Sequence, residues 1–254
     1  MKTGLVIAAA AAVLFSSAAG AAGTAAAAEI KVLSTQATEQ SYRELVPRFE
    51  RATGHKVMTV FTGTLDADKR LAAGESYDLL IMSRPSIEQH IKDGKLVPGS
   101  RVDIAKSGVG IGVKTGARKP DIGSTEALKK TLLAAKSIGY STGPSGDIII
   151  ALFQRLGIAE QIKPKLKQTP TSVFVGSIIA SGEVELGFQQ ISEISHFGGV
   201  DYVGPLPADV QEYTTFSSGI VSGAKQAEAA KAWVKFLTAP EAAPAFKSRG
   251  MEPG

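Results

Sequence analysis

From residue 29 to the C-terminus, strand-like and helix-like patterns alternate without a break, and this alternation limits the fold more than any single motif. Residues 29–34 (EIKVLS) read as a strand. Residues 39–52 follow as an amphipathic helix, with Tyr42, Leu45, Val46 and Phe49 at helical spacing and Gly54 closing it. Pro47 inside that helix predicts a kink or a lost backbone hydrogen bond. Strand 56–61, helix 65–73, strand 77–82 and helix 86–93 continue the pattern. The unbroken apolar run of the third strand (YDLLIM) suits a parallel sheet buried on both faces. The order then resumes with helix 124–135, strand 137–141, helix 146–156, strand 172–175, helix 177–181 and strands 184–189 and 201–204. Strand 215–222 and helix 226–237, which stops before Pro240, complete it. No repeat, low-complexity tract or long linker divides the chain, so two α/β lobes would be joined by ordered strands.

Residues 1–28 differ in composition. Lys2 precedes an apolar run over residues 5–15, and Ala26, Ala27 and Ala28 offer a small-residue cleavage site before Glu29. The run is too short for a comfortable membrane span and predicts a cleavable export signal, hence a periplasmic mature chain. The 254-residue chain carries 28 basic and 24 acidic residues with no block of like charge, so it shows no nucleic-acid or membrane-surface footprint. The mild positive balance is compatible with a small anionic ligand. The absence of cysteine excludes thiolate catalysis, zinc–thiolate sites and iron–sulfur clusters. His55, His90 and His196 lie at no metal-binding spacing, so neither a metal nor another cofactor is expected.

Gly108, Gly110 and Gly112 alternate with β-branched residues but lack the spacing of a dinucleotide fingerprint, and no P-loop is present. They read instead as a strand approached closely by its neighbours. The ligand-facing signal lies elsewhere. Open α/β sheets bind ligands beyond the carboxyl ends of their strands, where helix N-termini expose N–H groups. Those positions here hold Ser34 and Thr35; Thr62, Gly63 and Thr64; Ser83 and Arg84; Ser141 to Gly146, including Ser145; and Val175, Gly176 and Ser177. Any one of these loops could simply cap its helix. Five at matching strand ends point to a shared anion site.

In this order the segments resemble the molybdate-binding-protein-like branch of periplasmic solute-binding proteins, which serve ABC importers. The opening strand and helix 30–54, Thr62-Gly63-Thr64, the run from Gly74 to Ile81, Ser145-Gly146 and the run from Gly182 to Phe188 (GEVELGF) carry the resemblance over nearly the whole mature chain. It implies a type II two-lobed α/β fold, each lobe a mixed, mostly parallel sheet flanked by helices. Lobe 1 would comprise 29–108 and 219–254, and lobe 2 would comprise 109–218. Strands 108–114 and 215–222 would cross between them. It further implies a monomer that closes on a small anion and presents it to a membrane permease, with Ser34 or Thr35, Thr62 or Thr64, Ser145 or Gly146, and Val175 as anion holders. Gln189 and Gln190 stand where molybdate binders carry a tyrosine, and Arg84 adds a guanidinium suited to carboxylates. These departures favour a di- or tricarboxylate. Residues 133–141 and 185–193 are also similar to aconitate isomerases, exported enzymes that shift a double bond. That reading would need a base, for which Asp147, Glu193 and His196 are candidates, with Arg84 as an anchor.

Overall fold

The computed structural model describes residues 27–254, so the proposed leader lies outside the described residues except for Ala27 and Ala28. The first half runs β1 (Glu29–Thr35), α1 (Glu39–Thr53), β2 (Lys56–Thr62), α2 (Thr64–Ala72), β3 (Leu79–Ser83), α3 (Arg84–Lys92) and β4 (Val102–Lys114). Next come α4 (Thr125–Ala134), β5 (Ile138–Tyr140), α5 (Pro144–Arg155), α6 (Ala159–Ile162), β6 (Leu166–Gln168), α7 (Val175–Ala180), β7 (Leu186–Gln190), α8 (Ile191–Ile194) and β8 (Val200–Pro205). The chain ends with β9 (Tyr213–Ile220), α9 (Ala227–Leu237), α10 (Ala243–Lys247) and β10 (Glu252–Pro253). Among the described residues no helix is long and apolar enough to cross a membrane.

The strand order β2-β1-β3-β9-β4-β7-β5-β6 divides into two lobes at β4. Its first half, residues 102–108, pairs antiparallel with β9, while residues 109–113 pair antiparallel with β7. β1 pairs in parallel with β2 and β3 in one lobe, and β5 with β6 and β7 in the other. All of β9 pairs with β3 or β4 of the first lobe, so the return crossing precedes Tyr213 and the expected boundary at 219 falls inside that strand.

Both sheets are covered on both faces, and the strand sequences show why. In β3, Leu79 and Ile81 enter one core with Ile30, Val32, Phe49 of α1 and Trp233 of α9. The alternating Leu80 and Met82 enter the opposite core with Leu33, Ala67 of α2 and Ile87 of α3. A strand with period-two side chains and apolar residues at every position can only be sandwiched. The second sheet repeats this, with α4, α5 and α6 on one face and α7 and α8 on the other. In β4, side chains occupy the space that Cβ atoms at Gly110 and Gly112 would take: Tyr202 and Ile191 at the first, Val200 and Ile194 at the second.

One expectation needs correction. Residues 172–175 are not a strand: they form a turn leading into α7, and Ser172 has φ +62°. The third strand of the second sheet's parallel set is β6 instead. α1 runs through Pro47 as one helix, and because proline has no N–H the helix gives up one backbone hydrogen bond there.

Candidate functional site

The carboxyl ends of β1, β2, β5 and β7 converge on a cavity between the lobes enclosing about 50 Å³. The first lobe contributes Thr35 and Gln36 from the turn after β1, and Thr62, Gly63 and Thr64 from the start of α2. The second contributes Ser141 to Ser145 at the start of α5, Pro170 to Val173, and Gln189, Gln190 and Glu193 around the end of β7. Gly63 caps α2 and Gly143 caps α5 without a side-chain hydrogen bond, so both helices present their first turns to the cavity.

The lobes are clasped across this cavity by Ser172. Its Oγ accepts from the Gly63 N–H at 2.9 Å, donates to Asp66 Oδ2 at 2.6 Å, and lies 3.0 Å from Thr62 Oγ1. Gln36 Nε2 donates to the Ser172 carbonyl at 3.2 Å. These contacts oppose the cost of holding a non-glycine residue at positive φ, on the order of 1 kcal/mol or more. Thr142 donates to the Thr169 carbonyl and ties the start of α5 to the same loop.

Several predicted residues support the cavity from outside it. Ser34 is 2% exposed and pairs with Thr38, Oγ to Oγ1 at 2.8 Å. Gly146 lies in the first turn of α5, against the Ser141 carbonyl. The Val175 and Gly176 amides both donate to Gln189 Oε1, at 2.8 and 3.4 Å. Gln190 is oriented to donate to Ser107 O at 3.0 Å and to accept from Thr214 Oγ1 at 2.8 Å, tying β7 to the crossing strands. Ser83, Arg84 and Asp147 line an adjoining chamber. His196 is exposed and lines neither space. Sequence reasoning placed Gln36 at the ligand-facing end of the first strand but did not assign Ser172 or Phe216 to the site. A proline followed by two hydroxyl residues at 170–172 was the available turn signal for Ser172.

Among the described residues no Lys, Arg or His lines the cavity, and Glu193 is its one carboxylic acid. Burial pushes the Glu193 carboxyl up to about 7, and the charge of Glu39 adds to this, while hydrogen bonds from the Gln189 side chain and the Gln190 backbone pull it down. An ordinary glutamate titrates near 4.5, so the folded chain keeps this proton where the unfolded chain has released it. The contribution of Glu193 to stability is therefore full below about pH 4.5 and is lost as pH rises through about 7. Urea titrations across this window are expected to show stability falling less steeply with pH in Glu193→Gln than in the native chain. Parallel curves would show that the carboxyl is not shifted.

Residues 30–252 match the family described as bacterial extracellular solute-binding protein. The chain belongs to this family. It is 34% identical over 230 residues to an aconitate isomerase from a Pseudomonas species, covering 88% of this chain and 87% of that one. A molybdate-binding protein of Azotobacter vinelandii is 28% identical over 229 residues, covering 88% of this chain and 90% of the relative. The solved periplasmic molybdate-binding protein of A. vinelandii superposes with a TM-score of 0.75 at 19% identity, over 89% of this chain and 99% of that one. The two-lobed α/β architecture is thus the family's own, and this solute-binding protein carries its cavity at the junction of the lobes.

Proposed function

We propose that this protein is a periplasmic receptor that captures a small carboxylate anion between its lobes and delivers it, as a monomer, to an ABC permease. The observation that carries the ligand class is Glu193 on the wall of a cavity otherwise lined by hydroxyls, amides and backbone. A tetrahedral dianion is best served by a shell of donors alone. A carboxyl on the wall opposes a tetrahedral dianion, whose whole charge would sit beside it, whereas a carboxylate ligand places one unit of charge there, to which the protonated Glu193 donates. The remaining charge is met by Thr and Ser hydroxyls and by the first turns of α2 and α5, whose dipoles favour an anion without any cationic side chain.

Thermal shift with trans-aconitate, tricarballylate, molybdate and sulfate tests this. A ligand selective for the native state, at 100 times its Kd, adds about 2.7 kcal/mol, or roughly 5–10 °C for a chain of this size. Stabilisation by carboxylates and none by the oxyanions is expected. A rise with molybdate alone would overturn the ligand assignment.

A second reading is favoured by the same glutamate and by the 34% identity to an aconitate isomerase. Glu193 would remove a proton from an allylic carbon of a bound tricarboxylate. The electron pair would delocalise into the adjacent carboxylate as the double bond moved, and the same proton would return to the far allylic carbon. Nothing is oxidised or reduced, and the substrate's atoms are conserved. A pKa near neutrality suits a residue that must both take and give a proton. Incubation of aconitate in heavy water, followed by proton NMR, separates the readings: an isomerase interconverts the isomers or exchanges the proton, and a receptor does neither.

A further inference from the structure

Ser172 of the second lobe sits in a helix start of the first. A helix that caps itself often carries a side-chain acceptor at its third position, which reaches back to the N–H of the residue before the helix. In α2 those places are held by Asp66 and Gly63. The Ser172 hydroxyl lies between them, accepting from the Gly63 N–H at 2.9 Å and donating to Asp66 Oδ2 at 2.6 Å. A serine hydroxyl has one proton and two lone pairs. The proton goes to Asp66, whose carboxyl this hydrogen bond holds below the usual carboxylate range, so in the 3.0 Å pair with Thr62 Oγ1 it is Thr62 that donates. All three capacities of the Ser172 hydroxyl are then filled, and the Thr62 proton and the Gly63 N–H are spent on it. The close approach depends on Gly63 as well. A Cβ there would meet Ser172 N at 2.8 Å and Thr171 Oγ1 at 2.7 Å, although a φ of −76° and ψ of 158° suit any residue.

We infer that Ser172 is a two-position latch for lobe closure rather than a ligand contact: with the lobes together it bridges Gly63 and Asp66, and with the lobes apart Asp66 takes the Gly63 N–H itself. Because one bond replaces the other, opening leaves no buried group unpaired, and the closed and open forms stay within reach of each other. Gln36 Nε2, donating to the Ser172 carbonyl at 3.2 Å, reinforces the bridge. The φ of +62° at Ser172 works against closure and is offset by these contacts. The latch consists of protein groups alone, so it draws the lobes together whatever lies between them. Thr62, expected to hold the anion, belongs to the latch. The first-lobe hydroxyls left to face a ligand are those of Thr35 and Thr64, both on the cavity wall. This rests on the reading that a ligand is captured between the lobes, and it assigns closure and contact to different residues.

Small-angle X-ray scattering on the ligand-free chain tests the latch without any ligand, with circular dichroism spectra to show that each variant folds. Ser172→Ala is expected to shift the closed-to-open ratio roughly tenfold toward open, the loss of a hydroxyl bonded to a carboxylate, and so to raise the radius of gyration. Thr62→Val should move it the same way but less. Gly63→Ala should move it further, because its Cβ holds the lobes apart. Ser172→Gly relieves the positive φ but lacks the hydroxyl, and should open as alanine does. Scattering of Ser172→Ala that matches the native chain would overturn the latch. A closed Ser172→Gly beside an open Ser172→Ala would assign the effect to the backbone turn and overturn it too. Calorimetry with trans-aconitate and tricarballylate gives a second readout. Closure scales every apparent affinity by the same fraction, so Ser172→Ala and Thr62→Val should each weaken both ligands by one common factor. Weaker binding in Thr62→Val with unchanged ligand-free scattering would return Thr62 to the ligand contacts and overturn the assignment. A native chain that binds neither carboxylate, with variants that open as expected, would overturn the ligand class and leave the latch standing.

Discussion

Gly146→Ala is expected to lower the melting temperature by roughly 2–8 °C and to weaken ligand binding at least about tenfold, because the added carbon has nowhere to go. A Cβ at this position would land on the Ser141 carbonyl oxygen, backbone against backbone, with no flexible side chain to yield. The Gly146 N–H also donates to the Gly143 carbonyl at 2.8 Å, so the glycine is held from both sides. Relief requires the first turn of α5 to lift off the loop from Ser141 to Gly143. Overpacking of this kind costs about 1–3 kcal/mol and sometimes more, and the helix propensity gained from alanine, about 1 kcal/mol, offsets only part. Ser141 and Ser145 pair at 2.9 Å and would be pushed out of register with the cavity. Thermal denaturation followed by circular dichroism, with calorimetry on the same sample, reads both effects. An unchanged melting temperature would mean that the turn and the loop are not in contact as described.

Glu193→Gln separates capture from chemistry. The substitution keeps shape and hydrogen-bonding capacity but removes the exchangeable carboxyl proton. Carboxylate affinity should stay within a few-fold. Under the isomerase reading, proton exchange into aconitate should fall about 10²- to 10⁴-fold, the usual contribution of a general base. In the native chain kcat/KM should rise with pH and level off above about 7, where the carboxyl is ionised. Exchange persisting undiminished in the variant would remove Glu193 from the role of base. No exchange in the native chain would leave the receptor reading alone.

The chemistry of the cleft was only partly written in the residue order. That hydroxyls and glycines at strand ends would gather at one place followed from the βαβ pattern, because parallel strands aim their carboxyl ends the same way. Which hydroxyls face the cavity did not follow. Ser34 and Thr35 are neighbours with the same chemistry, yet Ser34 turns inward to Thr38 while Thr35 lines the cavity. The Val175 amide looked free as a helix start, but Gln189, 14 residues later, occupies it. Glu193 has no local motif, and the four-residue helix that carries it gives no hint of a perturbed carboxyl. Its elevated pKa is a consequence of enclosure by both lobes.

The sequence by itself determined the layering. Apolar residues at every position of β3, and helical stripes such as Tyr42, Leu45 and Phe49, can be buried only in a sheet covered on both faces. Periodicity is local, so it survives in the residue order. Only the tertiary structure decided the clasp and the charge of the site. Ser172 at positive φ is held by Thr62, Gly63 and Asp66, more than 100 residues away in sequence, and Arg84 is steered by an aspartate shared with Arg101. Hydrogen bonding and desolvation depend on which groups meet in space, and that meeting exists only once the two lobes have closed on each other.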